Sequence, residues 1–366
     1  MLGRAVGNPA AVIAAWLELR ATGWPCSVEI GKAEGRPAAC LRLWGEPVLG
    51  TAPPALTPER CYEAGTPVRE TVPRLPARSD GHVTQVSCSG SPTGDLTGLL
   101  EPLGGLGAVV RPGDSVLIKP NFNSYHPPPA STALDLASCV VARLREVGAA
   151  RIAMGECSAN SLAPTRGVVT RAGLTEWAAR EGVEVILFDE ESWRACPIPA
   201  GHWPHLLVPE ALTRFDRLIY LASAKTHRAA GASLSLKLGV GLMHPVQRIA
   251  LHANDLAERI AEIALAVRPD LAIVDARLCF VAGGPEVGET RKPGLLLAGM
   301  DLAALDSAAL AVLRAHGASG LAGAEEQIEA ARRAAGGNPA PREGVCEGCG
   351  ELNGSCLSRP GGRSDA

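Results

Sequence analysis

The chain has 366 residues, 46% of them hydrophobic and 20% charged, a globular composition with room for two to three domains of ~100–200 residues each. Its 41 Gly and 29 Pro stay below the ~25–30% share of low-complexity chains, which excludes disorder throughout. A balance of 35 Lys+Arg against 38 Asp+Glu, net −3, offers no basic footprint for duplex nucleic acid and no polybasic membrane patch.

Near the start, Asn8 and Pro9 read as an N-cap and a first helical position, with a helix to about Thr22. Glu18 and Arg20 interrupt its apolar run, and nowhere do ~18 uncharged apolar residues follow one another. The expectation is an ordinary helix, no signal peptide, no membrane span and a cytoplasmic protein. Apolar runs at 26–30 and 39–44 complete a small α+β unit over residues 1–50. Six prolines in residues 51–80 mark a linker.

From residue 82 the pattern changes. Short β-rich runs at 82–88, 115–119, 151–155, 183–188, 217–221, 271–275 and 294–298 alternate with helical stretches at 133–147, 173–181, 254–267 and 302–315. This predicts an α/β core over residues 81–320 with a mostly parallel sheet and Rossmann-like βα units. Ligands of such sheets collect at the carboxyl ends of the strands. Residues 321–366 follow as a charged helix from about 325 and, past the break at Gly336, Gly337, Asn338 and Pro339, a cysteine-containing tail.

The unusual polar residues sit at those strand ends. SVLIKPNFN closes a strand with Lys119 and Asn121. After RLIYLA come Lys225 and His227, then a Gly/Ala/Ser-rich stretch to Lys237, with His244, Arg248 and His252 farther on. Ammonium groups pair with carboxylate or phosphate, small residues let backbone N–H groups approach an anion, and histidine carries protons near neutral pH. The predicted catalytic set is therefore His227, Lys225, Lys237 and Lys119, with Asn121, Glu156, His252 and Arg291 as substrate-binding residues. Around Arg291, Gly283, Gly284 and Gly288 suggest a flexible loop able to close over a ligand, without the spacing of a nucleotide-binding motif.

Of the 11 cysteines, eight are scattered in mostly apolar surroundings and read as small buried hydrophobes. Cys346, Cys349 and Cys356 fall together in the Gly-rich tail and are the predicted metal ligands.

Six ordered blocks over about residues 82–320 resemble the domain-of-unknown-function 362 family, often found in iron–sulfur proteins of bacteria and archaea. They are LIKPNFN, LREVGA before RIAMGE, the KTH…LK block (Lys225, Thr226, His227, Leu236, Lys237), PDLAIVDA, GGPEVGETRKPGLLLAG and MDLAALDSAAL. The chain departs from the family at Leu238, where Asn is common, and at Glu156-Cys157, where Asp-Ser is common. The resemblance implies a ferredoxin-type motif, and the tail meets three of the four positions of C-x2-C-x2-C-x3-C, with Leu352 in the third and Leu357 in place of the following proline. A 4Fe-4S or 3Fe-4S cluster is the expected cofactor; zinc is the alternative, and free thiols a third reading. The block from Lys225 to His252 is also faintly similar to the nickel-pincer lactate racemase family, in which a lysine and a later histidine serve the active site.

The leading expectation is an iron–sulfur redox enzyme acting on a small anionic substrate, served by a redox partner protein, with no nucleic acid and no membrane involved. The alternatives are a metal-dependent isomerase or lyase using histidine proton transfer, and a non-enzymatic electron-transfer or cluster-delivery protein.

Overall fold

The structure, a computed structural model, describes residues 3–7, 26–33, 36–43, 81–158, 165–197, 205–251 and 255–336. The predicted helix after Pro9, the proline-rich segment 51–80, His252 and the three tail cysteines lie outside these. Strands β1 (Gly3–Gly7), β2 (Cys26–Ala33) and β3 (Arg36–Leu43) form an antiparallel sheet in the order β1-β3-β2.

The core is a mixed α/β sheet of nine strands. Its elements run β4 (Val83–Ser87), α1 (Pro92–Leu100), β5 (Ser115–Lys119), α2 (Leu134–Glu146), β6 (Arg151–Glu156), α3 (Thr165–Arg171), α4 (Leu174–Glu181) and β7 (Glu184–Leu187). The β8/β9 hairpin (Trp193–Pro197, His205–Pro209) pairs separately. There follow β10 (Arg217–His227), β11 (Gly231–Ser233), α5 (Ser235–Leu238), α6 (Pro245–Leu251), α7 (Leu256–Ala266), β12 (Leu271–Gly283), β13 (Gly288–Arg291), β14 (Leu295–Gly299), α8 (Leu302–Ala315) and α9 (Ala322–Ala334). The sheet order is β4-β14-β12-β10-β5-β6-β7, with β11 on β10 and β13 on β12; the run from β12 to β7 is parallel.

Two apolar clusters sandwich the sheet, as the strand period of two requires. Val116, Ile118, Ile219, Leu221 and Ile273 face α1, α2 and α4, whereas Leu117, Tyr220, Ala222 and Val274 face α5 to α9. In α2 the buried Leu136, Ala137, Val140, Val141 and Leu144 recur at helical spacing and form the inward stripe. Asp301 caps α8, its carboxylate accepting from the amides of Ala303 and Ala304, an arrangement worth about 1 kcal/mol.

Two departures from the sequence expectation shape the site. Strand β10 does not stop at Leu221 but continues to His227, because β11 pairs with Lys225, Thr226 and His227 where apolar alternation is missing. The glycine-rich segment expected as a flexible loop is instead an antiparallel arm formed by β12 and β13. Its turn is fitted to glycine: Gly284 has φ +74°, and a Cβ there would overlap the carbonyl oxygen of Thr226.

Candidate functional site

Chain order and sheet order together locate the crevice. From β5 the chain moves outward through β6 to β7, then crosses back so that β10 lies on the other side of β5. Neighbouring strands whose connections leave in opposite directions open a gap at their carboxyl ends, where doubly wound sheets hold ligands. Here those ends carry Lys119 on β5 and Lys225 on β10.

Lys119 does not project into solvent. It is 1% exposed, and its Nζ donates to Glu156 Oε1 at 2.6 Å and to the carbonyl of Pro120 at 2.6 Å. Glu156 is equally buried at the end of β6, and it also accepts from the amides of Phe122 (2.7 Å) and Cys157 (2.8 Å). Gly241 closes over the pair; a Cβ there would lie 2.5 Å from Lys119 Cε. Burial holds the Lys119 ammonium below the usual lysine range, and the Glu156 carboxylate opposes that shift. Arg248 pins this lid, donating to the carbonyls of Met243 (2.8 Å), Cys157 (2.6 Å) and Gly241 (3.0 Å). The pair is thus a framework beneath the crevice.

Lys225 lies 1% exposed, its Nζ donating to the carbonyl of Ala130 on the β5–α2 connection. Burial, reinforced by the neighbouring Lys237 charge, lowers it to about 7. Half-buried Lys237, on α5, has no hydrogen bond or ion pair among the described residues, and burial followed by Arg248 lowers it to about 8. Asp306 sets the position of α5 from across the core, accepting from the amides of Ser235 (2.8 Å) and Leu236 (2.9 Å) and from the Ser235 hydroxyl. Its own burial raises it to about 7.

The structure therefore brings Lys225 and Lys237 together, with Lys119 and Glu156 sealed below them. Asn121 sits on the loop after β5, its backbone bonded to Thr132 in both directions. His227 lies at the outer end of β10, where Nδ1 accepts from the amide of Ala229 at 3.1 Å, leaving Nε2 to carry the proton of the neutral ring. Arg291 is exposed on the arm and pairs with Glu289 at 2.5 Å. His244 is buried edge-on against Trp193, and burial lowers it to about 4.

Sequence reasoning missed Gly241 and Asp306, and it passed over Arg248 as one residue in a series. No local pattern marks any of the three, since each acts on partners remote in the chain.

Residues 116–311, just over half of the chain, match the family described as Domain of unknown function (DUF362). The protein belongs to the DUF362 family. It is also 30% identical over 226 residues, 60% of this chain and 68% of the relative, to a thylakoid-associated protein of Synechocystis sp.. The matched region of this DUF362 protein holds the whole crevice, from β5 to Asp306. Among the described residues no helix is long and apolar enough to cross a membrane, and no group of three or more His, Cys, Asp or Glu side chains is arranged to hold a metal.

Proposed function

We propose that the protein is an enzyme acting on a small carboxylate- or phosphate-bearing substrate at the β5/β10 crevice, with electrons supplied through an iron–sulfur cluster on the C-terminal tail. The observation that carries the substrate half is the half-buried Lys237 ammonium, which makes no hydrogen bond or ion pair among the described residues and is only partly offset by the more distant Glu286, beside a second lysine. A desolvated ammonium left unpaired is costly, and an anion relieves that cost. Lys237 is the anchor. Lys225, poised near neutrality, is the proton carrier: it gives or takes a proton at Nζ, and a bound anion favours its protonated form. His227, at the outer end of the same strand, is a second proton carrier. The lid around Gly241 shields the crevice floor from water.

The redox half rests on the donor chemistry of the tail. Cys346, Cys349 and Cys356 are three soft thiols at ferredoxin-like spacing and would hold the cluster, which when bound supplies single electrons. The buried core cysteines Cys157 and Cys279 suit the place of a fourth ligand less well: burial raises both thiols, the latter to about 12. In this reading the fourth ligand comes from elsewhere, a redox partner protein delivers the electrons, and the enzyme works in the cytoplasm, where thiols stay reduced.

Calorimetric titration of inorganic phosphate and short monocarboxylates into the full chain tests the substrate half. Binding weakened about 10- to 100-fold in Lys237→Ala and in Lys225→Ala is expected, the magnitude of one charge-assisted contact. Equal affinity in wild type and both variants overturns the assignment.

A further inference from the structure

Between β10 and β12 the register shifts: Ser223 pairs with Asp275, but Lys225 pairs with Phe280, so β12 carries extra residues at this point. Such irregularities splay a strand pair and recur beside active sites. Here the shift leaves a cavity of about 310 Å3 at the carboxyl edge of the sheet, in the size range of small-ligand pockets. Its wall is largely aliphatic, from Pro128, Pro129, Ala133 and Leu278, with Ser223 on the β10 side.

The charges on this wall are unequal in their commitments. Arg277 donates to both oxygens of Asp135 and both oxygens of Asp275, so one guanidinium engages all four oxygens while offsetting one of the two acid charges, which leaves Lys292 to balance the other. Lys292, also on the wall, has no hydrogen bond or ion pair among the described residues. The register places it relative to the crevice. Lys225, Phe280 and Thr290 are successive cross-strand partners, and Lys292 follows Thr290 by two residues. β13 ends at Arg291, so Lys292 stands one residue past its end, across β12 from Lys225. The cavity meets the crevice at the β5–α2 connection, where Ala130, whose carbonyl accepts from Lys225, precedes the lining residue Ser131.

We propose that this cavity seats the body of the substrate and that Lys292 holds a second anionic group, so that the substrate is a short dianion, a dicarboxylate or a phosphorylated carboxylate. The inference rests on the reading of Lys225 and Lys237 as the first anion site. The aliphatic side chains between the crevice lysines and Lys292 suit a chain of a few carbons with a charge at each end, and a second anionic group gains a contact with the exposed Lys292 that a monoanion does not make.

The test is calorimetric titration of the full chain with butyrate, succinate, glutarate and phosphoglycolate. Wild type should bind at least one dianion about tenfold or more tightly than butyrate, the effect of one added charge-assisted contact. Lys292→Ala, which alters one exposed side chain, should erase that preference and leave butyrate affinity unchanged; Lys292→Arg should keep it. Preference for succinate or glutarate assigns the second group as carboxylate, and preference for phosphoglycolate assigns it as phosphate. Equal binding of butyrate and all dianions to wild type, or a dianion preference that persists in Lys292→Ala, overturns the proposal. If butyrate binding still depends on Lys237 in that case, the first anion site stands and only the dianion inference falls. If none of the four probes binds, both fall.

Discussion

Replacing Glu156 by Gln probes the framework under the crevice. Glu156 and Lys119 are 2% and 1% exposed, and their charged groups meet at 2.6 Å. Removing one partner of a buried pair leaves an uncompensated charge, which costs about 3–5 kcal/mol. The new amide also turns an N–H group toward one of the donors that Glu156 now accepts, Phe122 N or Cys157 N. At roughly 2–4 °C per kcal/mol, the expected fall in Tm is about 10 °C. The cost should depend on pH. Burial already lowers Lys119, and Glu156 is the largest influence holding it up, so the variant's folded-state lysine titrates still lower. Between that value and the unfolded 10.5 the unfolded chain binds more protons, so the variant gains stability as pH rises. Thermal or denaturant unfolding of wild type, Glu156→Gln and the double variant Lys119→Met/Glu156→Gln at pH 6 and pH 9 measures this. The single variant should be weakest at pH 6, and the double variant should recover much of the loss. A single variant within 1 kcal/mol of wild type at pH 6, or a loss indifferent to pH, refutes the buried-pair account.

Lys225, lowered from 10.5 to about 7, should make folding stability rise with pH across that window, by up to the order of 5 kcal/mol; Lys225→Met should flatten the Tm profile, and parallel profiles contradict the assignment. Gly284→Ala must push the β12–β13 arm off Thr226, so hydrogen exchange of the amides of β13 and of the end of β12 should accelerate at least tenfold while β5 amides stay protected; unchanged arm exchange shows that the arm does not need glycine there. Anaerobically purified protein should contain iron and acid-labile sulfide, most of it lost in Cys346→Ser or Cys349→Ser; zinc in place of iron, or metal retained in both variants, removes the redox half of the proposed function.

Where the chain's own periodicity and its structure agree, the cause is local. Strand β5 ends at Lys119 and α8 spans Leu302–Ala315, as the apolar patterns predict, because alternation and helical spacing are set by neighbours a few residues away. The βα alternation likewise made a largely parallel sheet readable, and with it the edge on which a ligand would lie. The length of β10 was not readable. Ser223 to His227 lacks apolar alternation, and it is extended because β12 and β11 supply hydrogen bonds from other parts of the chain. Nor could the lysines be told apart: Lys119, Lys225 and Lys237 look alike in sequence, yet Lys119 meets Glu156 37 residues away, whereas Lys237 makes no hydrogen bond or ion pair among the described residues and feels Glu286 only at a distance. Arg248 and Asp306 act across 91 and 71 residues, on the Cys157 carbonyl and on Ser235. Residue type and spacing determined which groups stand at the carboxyl edge of the sheet. Which of them are neutralised and which are left for a ligand depends on the order in which the strands lie side by side, since only that order brings distant charges within a few ångströms in a medium that does not screen them.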